Sequence, residues 1–348
     1  MTETVDTRGV VAPADPAPRV ESPWRAGGPE QRARRRWLLF VFGCAFAVVV
    51  ALFGFPTGRD VIVEWLLVFL FALCGGDLRA WWRTVVKDWL AFVVMLFAYD
   101  LLRGQADVLG GRLAGGRALV DDQGQLVHAF VRPQLEADRF LFGGHVPTVW
   151  LQQHLFDPAR VHWYDVAVVP VYMSHFIVPT ALAAVLWARS YRTFQRYIAT
   201  FVLLTAMTLT TYALFPAVPP WMASLNGYLP AGIDRIVSHT LISTGVGTIQ
   251  SAVEHGQAYA NPVAAVPSLH SAVPMLLILM FWRTSRPLAR VAFVGYICAM
   301  TFTLVYAGEH YVVDVLLGWL YAAVALRVVD TVMARRARSR LRPAVATD

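Results

Sequence analysis

His310 and Asp314 stand four residues apart at the opening of an apolar run, in Gly308-Glu309-His310-Tyr311-Val312-Val313-Asp314. On a helix that spacing puts both side chains on one face, a turn from each other. An aspartate so placed accepts from one imidazole nitrogen and leaves the other to attack an electrophile. By helical rise Asp314 lies about 6 Å into the run, where an unpaired carboxylate is costly, so His310 is its expected partner. A purely structural His–Asp pair fits the same spacing. A metal site would need a third and a fourth ligand, and none is apparent nearby.

A second constellation is Val266-Pro267-Ser268-Leu269-His270-Ser271, at the entry to another apolar run. Pro267 fixes the chain and Ser268 suits a helix N-cap. The amides at that helix start, with the Ser268 and Ser271 hydroxyls, are expected to receive phosphate oxygens, Leu269 lying between them. His270 then stands where it can exchange a proton with the bound group. An ordinary cap beside an interfacial histidine is the competing reading. Pro216, Pro219, Pro220 and Trp221 form a third cluster, in which the prolines stop a helix and Trp221 suits the headgroup level. His175 falls about a dozen residues into a further apolar run, as a substrate contact or as a histidine bonded across helices.

The elements that must hold these residues are membrane helices. Hydrophobic residues make up 57% of the chain and charged residues 15%, with a mean hydropathy of +0.51. Soluble domains carry about a quarter of their residues charged, so lipid is the main solvent here. Apolar runs at 37–55, 61–75, 89–102, 163–187, 197–214, 271–282, 291–308 and 311–329 predict about eight spans. The Arg32–Arg36 cluster beside the first run predicts a retained span rather than a cleaved leader. Cys44, Cys74 and Cys298 match no metal or disulfide spacing. The net charge of +7 comes from arginines beside apolar segments, which fits anionic headgroups and excludes nucleic acid as the expected partner.

If the N-terminus is cytoplasmic, every short basic connection falls on that side: Arg32 to Arg36; Arg79, Arg83 and Lys87; Arg189, Arg192 and Arg196; Arg283, Arg286 and Arg290; and Arg335 to Arg342. Both termini are then inside, and the long loops at 103–161 and 215–270 lie outside with the three polar clusters.

Together, Pro-Ser-Leu-His-Ser at 267–271 and His310-Tyr311-x-x-Asp314 followed by Gly318 resemble the type 2 phosphatidic acid phosphatase (PAP2) superfamily, and more closely its inositol phosphorylceramide synthase branch. Pro-Pro-Trp at 219–221 and Tyr172-x-x-His175-Phe176-x-x-Pro179 support the resemblance. It implies an all-α membrane bundle with a six-helix catalytic core at 89–330. Residues 1–30 would be a disordered tail, 31–88 two extra spans and 331–348 a basic tail. It implies a phosphohistidine mechanism in which His310 attacks phosphorus, Asp314 orients it, and His270 protonates the leaving alcohol and then serves as base. No cofactor or metal is implied. The implied partners are a phospholipid or polyprenyl-phosphate-like substrate, a hydroxyl acceptor or water, and the bilayer, at the outer face of the plasma membrane. Ser268, Leu269, Ser271 and His175 are the expected substrate contacts.

The chain departs from the phosphatase pattern where that family grips phosphate. Leu304 stands six residues before His310 in place of an arginine, and Lys87 is the only lysine. Arg103, then Arg139, then Arg235 are the expected replacements. Transfer to another lipid's hydroxyl is the favoured outcome, transfer to water the alternative. A transporter or lipid-binding protein, with Glu64, Asp100, His175 and Asp314 lining a path, is the reading from another class.

Overall fold

The computed structural model describes residues 28–53, 59–103, 110–245 and 262–341. The expected disordered segment at 1–30 falls almost wholly outside them. Helix α1 (Pro29–Phe53) starts eight residues ahead of its apolar run, carrying the arginine cluster in its first turns. It pairs with α2 (Arg59–Leu73) through an aromatic cluster in which Trp65 meets Phe42 and Phe46 edge-on, at 5.5 and 5.0 Å between centroids.

The third apolar run is bent. Asp77 caps α3 (Leu78–Thr84) by accepting from the Arg79 and Ala80 amides, and a π-helical turn at Val85–Trp89 leads into α4 (Leu90–Arg103). That turn aims Asp88 at the Trp187 Nε1–H (3.0 Å) and the Tyr191 hydroxyl (2.6 Å), so a buried carboxylate finds two donors on neighbouring helices.

Four long helices form the rest of the bundle: α7 (Trp163–Arg189), α8 (Tyr191–Leu214), α12 (Pro287–Tyr306) and α13 (Val312–Leu341), with the shorter α11 (Leu269–Phe281) among them. Helices α1, α7, α8, α12 and α13 are each long and apolar enough to cross a membrane, while α2 and α11 are shorter apolar helices. The count of eight spans is therefore not reached by length alone among the described residues. Lipid offers no hydrophobic drive between helices, so close approach and small residues decide the packing. On α13, Gly318, Ala322 and Ala325 recur at helical spacing, and both alanines are fully buried. A Cβ at Gly318 would meet the Ser268 carbonyl oxygen at 2.3 Å, so only glycine lets α13 cross the start of α11. The main core lies between α4, α7, α8, α11 and α13 around Trp89, Trp187, Tyr197 and Leu204.

The stretch after α4 has structure of its own. An antiparallel hairpin, β1 (Arg117–Val120) with β2 (Leu126–Ala129), is followed by α5 (Arg132–Leu141) and α6 (Pro147–Leu155). Single parallel bridges join Phe130 to Ala217 and Ala217 to Ala264. With α9 (Pro220–Leu225) and α10 (Ile236–Ser243) these elements cover one end of the bundle.

Candidate active site

The covered end holds the start of α7, the start of α11, the end of α12 and the start of α13. Gly308, at φ +75°, turns the chain between α12 and α13, and a Cβ there would meet the Asp234 carbonyl oxygen at 2.9 Å. Gln152 clamps this turn: its side chain donates to the Asp234 and Tyr306 carbonyls (2.9 and 2.8 Å) and accepts from the Asp234 amide (2.9 Å). Its position inside the expected 103–161 loop carried no sequence signal.

His310 sits just before α13 rather than on it, and Asp314 is in the first turn. The two side chains still meet, with His310 Nδ1 3.4 Å from Asp314 Oδ2. That is longer than a full hydrogen bond, and contacts of this kind shorten when a transition state forms. The same oxygen accepts from the Tyr311 amide at 2.9 Å, so Asp314 also closes the helix start. Both side chains are buried.

His270 approaches from α11, its ring centroid 5.8 Å from that of His310. His270 is stacked on Tyr172 (4.8 Å between centroids) and lies against His175 (3.9 Å), both from α7. His175 thus stands beside the proposed acid–base group, which the sequence spacing alone did not decide.

The two serines hold the junction. Ser268 accepts from the Ser271 amide (3.3 Å), and its own amide donates to the Asp314 carbonyl (2.9 Å). The Ser271 hydroxyl donates to the Ser268 and Val315 carbonyls, at 3.0 and 3.1 Å. Both residues are fully buried, and the Ser268 amide and the Ser271 hydroxyl tie α11 to α13 at the helix start where phosphate contacts are expected. Leu269 is buried on the apolar side of α11. Trp221 is buried as well, and its amide donates to the Gly308 carbonyl at 3.1 Å.

Of the three arginines, Arg103 ends α4 and its side chain lies outside the described residues. Arg139 faces outward and pairs with Glu136 at 3.0 Å, both half-exposed. Of the two whose side chains are described, Arg235, the last-ranked of the three, is the one drawn into the site end. Its guanidinium lies 4.7 Å over the Trp221 ring and donates to Glu309 (3.2 Å), the neighbour of His310, and to Asp122 (3.0 Å) in the β1–β2 turn. Burial pulls its pKa down, but Glu309, Tyr172 and Asp122 more than offset this, so the side chain stays charged.

Asp138 was missed altogether. It is fully buried on α5 and accepts from the Val312 and Val313 amides at 3.0 and 2.9 Å. It therefore caps α13 from another element, placing a negative charge at the helix's positive end. Burial pushes its carboxyl up to about 6; the Val313 and Val312 amides pull against this, and Asp314 adds to it. A cap supplied from 174 residues away leaves no local pattern to read. Among the described residues, no group of three or more His, Cys, Asp or Glu is arranged to hold a metal.

Chemically, the arrangement offers a nucleophilic imidazole backed by a carboxylate, a second imidazole facing it, and a buried cation beside the turn that carries the first. The sequence profile described as "PAP2 superfamily" matches residues 136–328. A protein of Bacteroides thetaiotaomicron named phosphoinositol dihydroceramide synthase is 28% identical over 172 residues, which cover 45% of this chain and 53% of that relative. The chain thus spans about half the length of the relative it matches. No solved structure matches it. The profile covers more than half of the chain and contains His270, His310 and Asp314 within one continuous segment, so the protein belongs to the PAP2 superfamily.

Proposed function

We propose that this protein is a membrane-embedded lipid phosphotransferase working through a phosphohistidine. The observation that carries the reading is the convergence of His310, Asp314 and His270 at one end of the bundle. His310 attacks the phosphorus of a lipid phosphodiester. A phosphorus–nitrogen bond forms, the bond to the lipid alcohol breaks, and His270 gives its proton to the departing oxygen. In the second half-reaction His270 takes the proton of an incoming hydroxyl, whose oxygen displaces His310 from phosphorus. Asp314 holds the ring and balances the positive charge that attack creates on it. Arg235, charged and beside Glu309, supplies the electrostatic grip on the transferring group that Leu304 and Lys87 do not. Its two acidic partners release it toward the phosphate when substrate binds.

Transfer to a lipid hydroxyl is preferred to hydrolysis because the relative is named phosphoinositol dihydroceramide synthase. The site end is read as extracytoplasmic. The clusters at Arg189–Arg196 and Arg283–Arg290 and the tail from Arg335 all fall at the far ends of the helices that build the site, as short basic cytoplasmic connections should. The boundaries at 89–330 for the catalytic core and 31–88 for two accessory spans are part of this proposal.

Phosphorus NMR of the purified protein with inositol-bearing phospholipid and a long-chain amino-alcohol amide tests it. A new phosphodiester without inorganic phosphate is expected. Free phosphate from a lipid monophosphate would make the protein a phosphatase. His310→Ala should lower turnover at least about 10⁴-fold; a His310→Ala protein as fast as the parent would overturn the mechanism.

A further inference from the structure

The groups around Arg235 carry more negative than positive charge. Its Nε–H donates to Glu309 Oε1 and an Nη1–H to Asp122 Oδ2, so one guanidinium faces two carboxylates. Arg235 and Glu309 are largely covered and Asp122 is about half-exposed, so solvent and salt screen the group less than a surface pair. A third carboxylate, Asp314, stands behind His310, which must be uncharged to attack. With His270 protonated for its role as acid, two cations still face three carboxylates. The other described arginines of the covering hairpin and α5 do not redress this. Arg139 pairs with Glu136, and Arg117 reaches only the Tyr228 hydroxyl at 3.5 Å, both on the outer surface. Lys87, the only lysine, lies in the π-helical turn at the far end.

The turn that carries Asp122 is firmly built. Asp121 Oδ1 accepts from the Gln123 and Gln125 amides at 3.0 and 2.7 Å. Asn226 pairs both ways with Val120, accepting from its amide (3.0 Å) and donating to its carbonyl (2.8 Å). Leu119 and Val127 of the hairpin are buried with Trp221 and Tyr311. The hairpin thus holds a carboxylate against the guanidinium that the transferring group needs.

That charge balance decides which phosphate ester fits. A phosphodiester bears one negative charge, so it takes the place of one carboxylate on Arg235 in an even exchange. A phosphomonoester bears about two negative charges at neutral pH. Its second charge meets Asp122, Glu309 and Asp314 with no further cation to balance it, and like charges so close repel even through solvent. We infer that Asp122 and Glu309 make this site select singly charged phosphodiesters over doubly charged phosphomonoesters and inorganic phosphate. This rests on the proposed function for the place of Arg235 in gripping the transferring group. The same excess acts on the intermediate. Attack on a monoester leaves a doubly charged phosphoryl group on His310, whereas attack on a diester leaves a singly charged one that still carries its headgroup. The acidic pair therefore disfavours the phosphatase course at both stages.

The test compares two lipids that differ by one methyl group. Full-length His310→Ala protein in detergent, blocked at the proposed nucleophile, is titrated calorimetrically with dihexanoyl phosphatidylmethanol, a diester, and with dihexanoyl phosphatidate, the monoester. The pH is held at about 8, where the monoester is doubly charged. The diester is expected to bind at least about tenfold tighter, and inorganic phosphate more weakly than either lipid. Asp122→Asn and Glu309→Gln, each made in that background, should shift the ratio at least about threefold toward the monoester, while Asp122→Glu keeps it. A monoester bound as tightly as the diester before either substitution overturns the selectivity. So does an Asp122→Asn protein that weakens both lipids alike, because Asp122 then only holds the hairpin. A parent protein that turns over neither lipid would defeat the functional reading, while the binding ratio still decides the selectivity.

Discussion

The two ends of the helical bundle bury polar groups in different company. At the site end, besides side-chain pairs such as Arg235 with Glu309, several reach across elements to the backbone: Asp138 to the amides opening α13, Gln152 to the Asp234 and Tyr306 carbonyls, Ser271 to the Val315 carbonyl. At the opposite end they pair side chain to side chain, as Asp88 does with Trp187 and Tyr191, and Arg196 with Asp330 at 2.6 and 2.7 Å. Backbone bonds fix where a main chain stands, so they set the position of a histidine carried on it. Side-chain pairs tie two helices together while leaving rotamer freedom at the junction. The site end is thus built for position and the far end for attachment. Substitutions of similar chemical size should have unequal consequences at the two.

Gly318→Ala should have the largest effect. The added methyl drives into the Ser268 carbonyl, and a shift of about 1 Å between the two histidine-bearing helices costs about 100-fold in turnover. Gly295→Ala on α12, with open space around it, is the matched control and should leave the rate unchanged. Equal rates for the two variants would break the contrast.

Arg235→Ala should come next, with kcat/KM down about 100-fold on the phosphodiester, whereas Arg139→Ala stays within about twofold because its surface pair with Glu136 contributes little. The reverse order would move the electrostatic grip to Arg139.

Asp138→Asn keeps an acceptor and loses the charge, so turnover should fall about tenfold, with a lower melting temperature from the weakened cap. The pH dependence sharpens this. The folded carboxyl titrates at about 6, above its ordinary 3.8, so the folded state takes up a proton between those values and gains stability as pH falls through that window. Asp138→Asn cannot titrate and lacks the gain. The melting-temperature advantage of the parent should therefore be larger at pH 5 than at pH 7.5. An advantage independent of pH would show that the carboxyl is not raised.

Arg196→Gln at the far end should have the smallest effect. This pair is partly exposed, so it contributes no more than about 1 kcal/mol, and thermal melting should register a small loss with kcat unchanged. A large fall in kcat would mean that the far end positions the site after all.

Much of the candidate centre was legible in the chain because its members sit in short motifs. His310 and Asp314 are four apart, and His270 follows a proline and a capping serine, so local geometry brings each motif's groups into register before any tertiary contact forms. The apolar runs likewise predicted the helices within a few residues, except that the first helix starts at Pro29 and the last continues to Leu341. The tertiary structure adds contacts that the motifs do not show. Ser268 and Ser271 were expected as phosphate donors; the Ser268 hydroxyl also accepts from the Ser271 amide, and the Ser271 hydroxyl donates to the Val315 carbonyl of α13. Trp221 was expected as an interfacial anchor; its ring lies under the Arg235 guanidinium.

The sequence by itself determined that the chain is helical and suited to a membrane, and it singled out the three residues of the candidate site, because hydropathy and short spacing are properties of contiguous residues. Tertiary structure alone decided that Arg235 meets Glu309 beside His310 and that Asp138 caps α13. Arg235 and Glu309 are 74 residues apart, and Asp138 and Val312 are 174. Partners at such distances meet only once the bundle has closed, and no periodicity along the chain encodes the meeting.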